Sequence, residues 1–299
     1  MSESLRQEIT KTIVESLTTC DPPPWRKPWA CDSNASGLHS SLSSSRPYKG
    51  INQLLLMCSA MKNGFKSKWW STFKQIKQQG GSVLKGSKAT TVVLYRPVER
   101  TKINEAGKEV DDSFFVMRSF KVFNADQTTL EQFQVSDEPV EGAPFQSYEQ
   151  ADQLIDDIGA DIRYGGDEAF YNSKEDFIQL PYHGKFESPE AFYETCFHEH
   201  IHFTEHENRL NWDRKNEDNS YSMGELIAEL GSILLLAELG LPVTQNLNNH
   251  AAYLKHWLKG MKGDPKFIFK ASSQANKAVD WLLACSKQGE PAGEPVVAV

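Results

Sequence analysis

The sequence contains few cysteines, no paired-cysteine motif and no long apolar run. Its five cysteines are scattered and never form a C-x-x-C pair, which excludes a cysteine zinc site and a disulfide framework. No apolar stretch approaches the roughly 20 residues that a membrane-spanning helix needs. The N-terminal segment is charged and amphipathic and does not contain the apolar core of a signal peptide. We therefore expect a cytoplasmic protein with no membrane contact.

Acidic residues are nearly missing from residues 22–96, where 12 Lys and Arg accompany a single acid, Asp32. The formal net charge of the whole chain is nevertheless −8. Residues 1–134 carry a net charge of +7, and residues 135–299 carry −15. Such an asymmetry favours a basic module that binds a polyanion, joined to an acidic module with a different task.

Aromatic residues are interleaved with these cations. This combination suits single-stranded DNA, because cations follow the phosphates and aromatic rings stack on exposed bases. No convincing helix-turn-helix or zinc finger is present for reading a duplex groove. For any single ring, a core position remains at least an equal alternative. The DNA-binding candidates are Trp25, Arg26, Lys27, Trp29, Arg46, Tyr48, Lys49, Lys68, Trp69, Trp70, Lys74, Lys85 and Lys88.

Residues 198–202, His-Glu-His-Ile-His, satisfy the H-E-x-x-H pattern of a metallopeptidase. On a helix, His198 and His202 share one face and can direct two imidazoles at one divalent cation. Glu199 beside them is the candidate catalytic base, which takes a proton from water at the metal. Ser188 and Pro189 are typical of a helix start, so we predict a helix over 188–209. Cys196 lies next to the motif and can be sensitive to oxidation.

A third protein ligand is expected on the following helix. Glu229 is our first choice, because a carboxylate within the apolar run Leu226–Leu239 is unfavourable unless a cation pairs with it. Glu225, one turn earlier, is the alternate ligand or a supporting residue. Gly231 would permit a close approach of the two helices. His206 continues the i, i+4 series and can replace a ligand, whereas we expect His200 to be a packing or surface residue.

Hydrophobic periodicity and turn signals predict an α+β protein of two domains. The first is a mixed α/β domain over 1–134, followed by a linker over 135–146, a mainly helical domain over 147–286 and a flexible tail over 287–299. A hairpin-like turn is expected within 101–112. Helices are predicted at 3–19, 51–61, 72–79, 147–158, 188–209, 222–239, 248–259 and 272–283. Strands are predicted at 90–95, 114–123, 162–164 and 177–180.

Several motifs, in order, resemble the ArdC-type antirestriction proteins and the start of the TraC-type primases. In the first half they are Pro24–Trp29, Tyr48–Asn52, Trp70–Gln75, Gly80–Gly86 and Phe120–Gln127. The second half resembles the zincin-like metallopeptidase domain of that family, through Phe197–Glu199, His202 and Tyr221–Gly240. Two positions depart from the family pattern: Gly224 replaces a second acid, and His200 replaces an apolar residue.

The resemblance implies an antirestriction protein of a conjugative mobile element. Such a protein would bind incoming single-stranded DNA and protect it from host restriction. One hypothesis is that its metal domain is an active peptidase whose targets are restriction subunits or other DNA-associated proteins. The alternative is a pure DNA-binding shield whose metal site is structural or vestigial. A metal-dependent nuclease is less favoured, since two-metal chemistry usually needs several carboxylates. Zn2+ is the expected metal, and Mn2+ also suits a site of two histidines and one glutamate.

Overall fold

The structure is a computed structural model that describes residues 2–19, 34–35, 37–98, 101–103, 109–111, 114–135, 148–212, 220–243 and 248–286. The chain divides into two compact units. One comprises Met1–Glu141 with Leu258–Phe269, and the other comprises Gly142–Trp257 with Lys270–Val299. Apart from residue 135, the predicted linker and tail fall outside the described residues, so the domain boundaries stay a prediction.

The predicted α+β class is confirmed by the described elements. The helices are α1 (Ser2–Thr19), α2 (Ile51–Asn63), α3 (Phe73–Gln78), α4 (Glu149–Ile158), α5 (Pro189–Phe203), α6 (Ser220–Glu238), α7 (Asn248–Gly263) and α8 (Phe267–Ser286). The strands are β1 (Ser40–Ser41), β2 (Trp69–Ser71), β3 (Thr90–Val98), β4 (Thr101–Ile103), β5 (Glu109–Asp111), β6 (Phe114–Asn124), β7 (Asp161–Tyr164), β8 (Phe170–Asn172) and β9 (Phe177–Leu180). None of the described helices has the length and apolar character that crossing a bilayer requires.

A four-stranded sheet with the order β1-β2-β6-β3 organises the first unit. Its main ladder is antiparallel and runs from the pair Thr90–Val122 to the pair Val98–Phe114. Strands β4 and β5 form a separate antiparallel pair where the hairpin-like turn was predicted. The side chain of Asn52 on α2 bonds both the N–H and the C=O of Val93 on the edge strand β3. These bonds hold α2 against the edge of the sheet.

Strand β2 was not predicted, and it places two neighbouring tryptophans on opposite faces of the sheet. Side chains alternate along a strand, so Trp69 and Trp70 enter different apolar clusters. Trp70 is fully buried with Leu56 of α2. Trp69 packs against the cluster that contains Ile76 of α3. Both rings therefore stabilise the packing of helices on the sheet.

The second unit contains a three-stranded sheet with the order β7-β9-β8. Strand β7 is parallel to the central strand β9, and β8 is antiparallel to it. Helix α5 packs against β8, β9 and α6. Most of α6 is buried, which explains why its sequence is apolar on almost every face.

Helix α5 begins where the sequence predicted and ends earlier. The Ser188 hydroxyl accepts a hydrogen bond from the Ala191 N–H, and Pro189 occupies the first helical position. The prediction that the helix continues to Arg209 is wrong, because it ends at Phe203. The Arg209 Nε–H donates to the Phe203 carbonyl, and its guanidinium pairs with Asp176 in the turn before β9. Arg209 thus satisfies a terminal carbonyl of the helix and fixes that end to the sheet.

Candidate metal centre and nucleic-acid interface

Helix α5 brings the two motif histidines together. Their imidazole centroids are 5.1 Å apart, because His198 and His202 are separated by one helical turn. The two side chains are 23% and 18% exposed, so solvent reaches both rings. The helix alone therefore presents two nitrogen ligands side by side, as the sequence predicted.

Helix α6 adds a carboxylate to this pair. Glu225 Oε2 lies 3.5 Å from His198 Nε2, and Glu225 Oε1 lies 3.7 Å from His202 Nε2. Among the described residues, these three form the group of His, Cys, Asp or Glu side chains able to hold a metal ion, with ligand atoms within 4.8 Å of one another. The geometry favours Glu225, the alternate, over Glu229, our first choice. Glu229 lies one turn further along α6 and is 8% exposed.

Close packing of the two helices sets this register. A Cβ placed on Gly231 would lie 2.6 Å from Ile201 Cδ1, so only glycine fits there without displacement. The predicted close approach at Gly231 is thereby confirmed. A Cβ on Gly224, near the start of α6, would lie 3.8 Å from His202 Cε1, which is an ordinary contact. This part of α6 therefore lies beside the imidazole of His202.

The electrostatics of the group favour a bound cation. Burial alone would lower the pKa of His202, but the hydrogen bond to Glu205 and the charges of Glu205, Glu199 and Glu225 raise it to about 9. Burial would raise the pKa of Glu225, yet the nearby imidazoles of His198 and His202 hold it below its ordinary value. An excess of carboxylates around two imidazoles stabilises positive charge at this point, whether it is carried by a proton or a metal.

Glu205 is a carboxylate beside the candidate metal centre that the sequence analysis missed. Its Oε1 lies 3.6 Å from His202 Nδ1, on the ring edge opposite the Nε2 that faces Glu225. A carboxylate in this position orients a ligating histidine and fixes which ring nitrogen is free to bind metal. The spacing i, i+3 from His202 was visible in the sequence, and a search for supporting carboxylates would have found it.

The other residues of the motif lie inside the helix packing. Glu199 is 7% exposed, and its charge contributes to the raised pKa of His202, which places it near the ligands. His200 is fully buried, as a packing residue, and its Nδ1 lies 2.7 Å from the Cys196 carbonyl oxygen. Cys196 is also fully buried, and burial raises the pKa of its thiol. The suggestion that Cys196 is sensitive to oxidation is therefore not supported, because a buried, protonated thiol is unreactive.

His206 lies beyond the end of α5. Its Nδ1 accepts a hydrogen bond from the Asn208 N–H within the turn that follows the helix. It does not belong to the group of three ligands. The structure therefore gives no support to His206 as a replacement ligand.

The DNA-binding candidates divide according to burial. The indole of Trp70 is fully buried and donates to His39 Nδ1, so the expectation that it stacks on a base is corrected to a core role. Tyr48 is half-buried against the same core, and burial raises its pKa to about 12. Trp69 is half-buried, donates to Asn34 Oδ1 and has the Lys68 ammonium over its ring at 5.1 Å. The exposed candidates are Arg46, Lys49, Lys74, Lys85 and Lys88.

Four further DNA-binding candidates lie outside the described residues. They are Trp25, Arg26, Lys27 and Trp29.

Comparison with known proteins identifies both halves of the chain. Residues 3–123 match the N-terminal domain of the anti-restriction factor ArdC, and residues 149–274 match a zincin-like metallopeptidase domain. The metal-free crystal structure of the antirestriction protein ArdC from plasmid R388 is 34% identical with a TM-score of 0.78. That match covers 96% of this chain and 99% of the R388 protein. The chain belongs to the ArdC family of antirestriction proteins.

A second structure of the R388 protein and one further relative agree with this ArdC assignment. The Mn(II)-bound structure of the R388 protein is 33% identical, has a TM-score of 0.74 and covers 96% of this chain and 99% of that one. A DNA primase TraC of Escherichia coli is 31% identical over 95% of this chain. The chain spans 27% of the length of that primase. Two imidazoles and one carboxylate are a donor set that binds Zn2+ or Mn2+, so the site fits the divalent metal expected of a zincin-like domain.

Proposed function

We propose that this ArdC-family protein binds single-stranded DNA as it enters a recipient cell and protects it from restriction. Its zincin-like domain contributes as a metal-dependent peptidase acting in the cytoplasm on restriction subunits or other DNA-associated proteins. The observation that carries the peptidase half is the convergence of His198, His202 and Glu225 beside the buried Glu199.

The openness of the site favours catalysis over a structural metal. Structural zinc sites are closed by four protein ligands, whereas catalytic sites keep a position for water or substrate. Here the described residues supply three ligands, and each remains partly exposed, from 14% for Glu225 to 23% for His198. Water and a substrate carbonyl can therefore reach the point where the three ligand atoms converge.

Each residue then has a defined task. A bound divalent cation, with zinc the expected one, supplies Lewis acidity toward a peptide carbonyl and the attacking water. His198, His202 and Glu225 would hold that cation. The Glu199 carboxylate accepts the proton of the attacking water and returns it to the leaving amine. Glu205 keeps the His202 ring in its ligating orientation.

The substitution Glu199→Gln separates the two halves of this function. It preserves size and hydrogen bonding but removes the base, so we expect unchanged metal content and DNA binding together with loss of hydrolysis of labelled denatured casein. Plasmid transfer into a restricting and a non-restricting recipient then measures protection for each variant. If Glu199→Gln protects as well as the unmodified protein, the peptidase proposal is wrong and the protein is a pure DNA-binding shield.

A further inference from the structure

One surface of the first unit combines exposed apolar side chains with cations. Phe73 at the start of α3 is 54% exposed, and Leu84 in the following loop is 47% exposed. Five exposed cations lie on the same segments. We call this surface the basic face, and its members are Arg46, Phe73, Lys74, Lys77, Leu84, Lys85 and Lys88.

Hydrogen bonds tie the segments of the basic face into one continuous surface. The Gln75 side chain of α3 donates to Ser43 Oγ at 2.9 Å, which joins α3 to the turn that carries Arg46. Lys77 Nζ lies 3.1 Å from Ser82 Oγ, which joins the other end of α3 to the Leu84 loop. That loop is in turn held against the residues after β6, since the Leu84 N–H donates to the Gln127 carbonyl. Hydrogen bonds therefore hold the segments of the basic face together on the first unit.

The backbone that carries Phe73 is fixed at the start of α3. Thr72 caps α3 by accepting from the Gln75 N–H, and the Gln75 side chain accepts from the Thr72 N–H. Ile76, three residues on, is fully buried and anchors the helix in the core beneath. An exposed ring on a fixed backbone needs no backbone rearrangement before it stacks on a ligand.

The charge of the face identifies its occupant. Residues 33–98 contain no aspartate or glutamate, so the five cations of the basic face have no acid within their own segments. Two acids follow β6: Asp126 accepts hydrogen bonds from the Lys66 and Ser67 N–H groups, and Glu131 is exposed. A protein partner would need a strongly acidic surface, whereas single-stranded DNA offers both phosphates for the lysines and bases for the ring.

We infer that single-stranded DNA crosses the basic face with a base stacked on Phe73 and with its phosphates paired to the surrounding lysines. This inference rests on the proposed DNA binding and names the surface responsible for it. It replaces the tryptophans of β2, whose rings are buried or half-buried, as the stacking site among the described residues.

Phe120 of β6 provides a matched control. It is 43% exposed and belongs to the same unit. It pairs with Val92 and therefore lies on the sheet face that packs against α2. Ile76 of α3 packs with Phe123 on the opposite face. Phe120 is thus an exposed phenylalanine that lies outside the basic face.

The test is fluorescence anisotropy with a labelled 20-nucleotide oligo(dT) and the full-length protein. We expect Phe73→Ala to weaken binding about 5- to 150-fold, Phe73→Trp to retain it, and Phe120→Ala to leave it unchanged. The double variant Lys85→Gln/Lys88→Gln should reduce the slope of log affinity against log salt by about 1.4, since each lost phosphate contact removes about 0.7. Circular dichroism melting checks that each variant is folded.

The outcomes distinguish this inference from the proposed function. If the unmodified protein does not bind oligo(dT), the DNA-binding half of the proposed function fails and the inference fails with it. If the unmodified protein binds but Phe73→Ala binds equally well, or if Phe120→Ala loses as much affinity, DNA binding stands and the basic face is the wrong surface.

Discussion

The metal centre gathers negative charge in a partly buried cleft between two helices, whereas the basic face spreads positive charge over an exposed surface. In the first, the charges of Glu199, Glu205 and Glu225 act on His202, and the approach of Glu225 depends on how α6 packs against α5. In the second, exposed lysines lie on a helix and a loop, and their proposed contacts with phosphates would weaken with salt. Substitutions that alter the packing of α5 and α6 should therefore disturb the metal centre. Changes of charge, or of one exposed ring, should instead weaken binding at the basic face.

Replacing Trp70 of β2 and Phe73 of α3 in turn tests the contrast between packed and exposed side chains most strongly. Trp70→Ala should lower the free energy of unfolding by about 3–5 kcal/mol, because it empties a fully buried site. Phe73→Ala should change it by no more than about 0.5 kcal/mol, since its ring is largely exposed. Urea titrations followed by circular dichroism measure both. A mild effect of Trp70→Ala with selective loss of DNA binding would contradict the core assignment.

Removal of the two carboxylates of α6 decides the third ligand. We expect Glu225→Ala to weaken Zn2+ and Mn2+ binding by at least about 100-fold, beyond the effect of most residues that only support a ligand. Glu229→Ala should weaken it by no more than about 10-fold, because Glu229 lies outside the group of converging atoms. Competition with a metal-sensitive dye gives both affinities. The reverse order would make Glu229 the ligand.

The two glycines of α6 provide the smallest and most local comparison. Gly231→Ala should destabilise the protein by about 1–3 kcal/mol, because the new methyl group would collide with Ile201. Gly224→Ala should instead stabilise it by up to about 1 kcal/mol, since the site has room and alanine favours a helix. Thermal unfolding of the apoprotein ranks the pair. Equal shifts for the two variants would show that the helices can separate at Gly231 without loss.

The two regions also differ in how far the sequence predicted them. His198, Glu199 and His202 lie on one helix, so their geometry follows from 3.6 residues per turn. The third ligand depends on how α6 is placed against α5, which is decided by Gly231 and Ile201 across the interface. Burial within the apolar run pointed to Glu229, whereas the placement of α6 against α5 brings Glu225 closer to the two imidazoles.

In the first unit, the composition predicted the positive charge but could not predict which aromatic rings are exposed. Tryptophans near lysines satisfy the composition expected of a DNA-binding surface, yet β2 is only three residues long and escaped the search for strands. Once β2 pairs with β6, both indoles turn toward packed helices. The early end of α5 has a similar cause, because Arg209 contacts Asp176 and Phe203, and no local pattern reveals that pairing.

The Trp69–Trp70 pair restricts how β2 can align with β6. A shift of β2 by one residue against β6 would exchange the two indoles between the layers and move each into a space shaped for the other. Two adjacent large rings therefore penalise every odd-numbered misalignment of this short strand. A strand with only a few backbone hydrogen bonds can in this way exclude the alignments displaced by one residue in either direction.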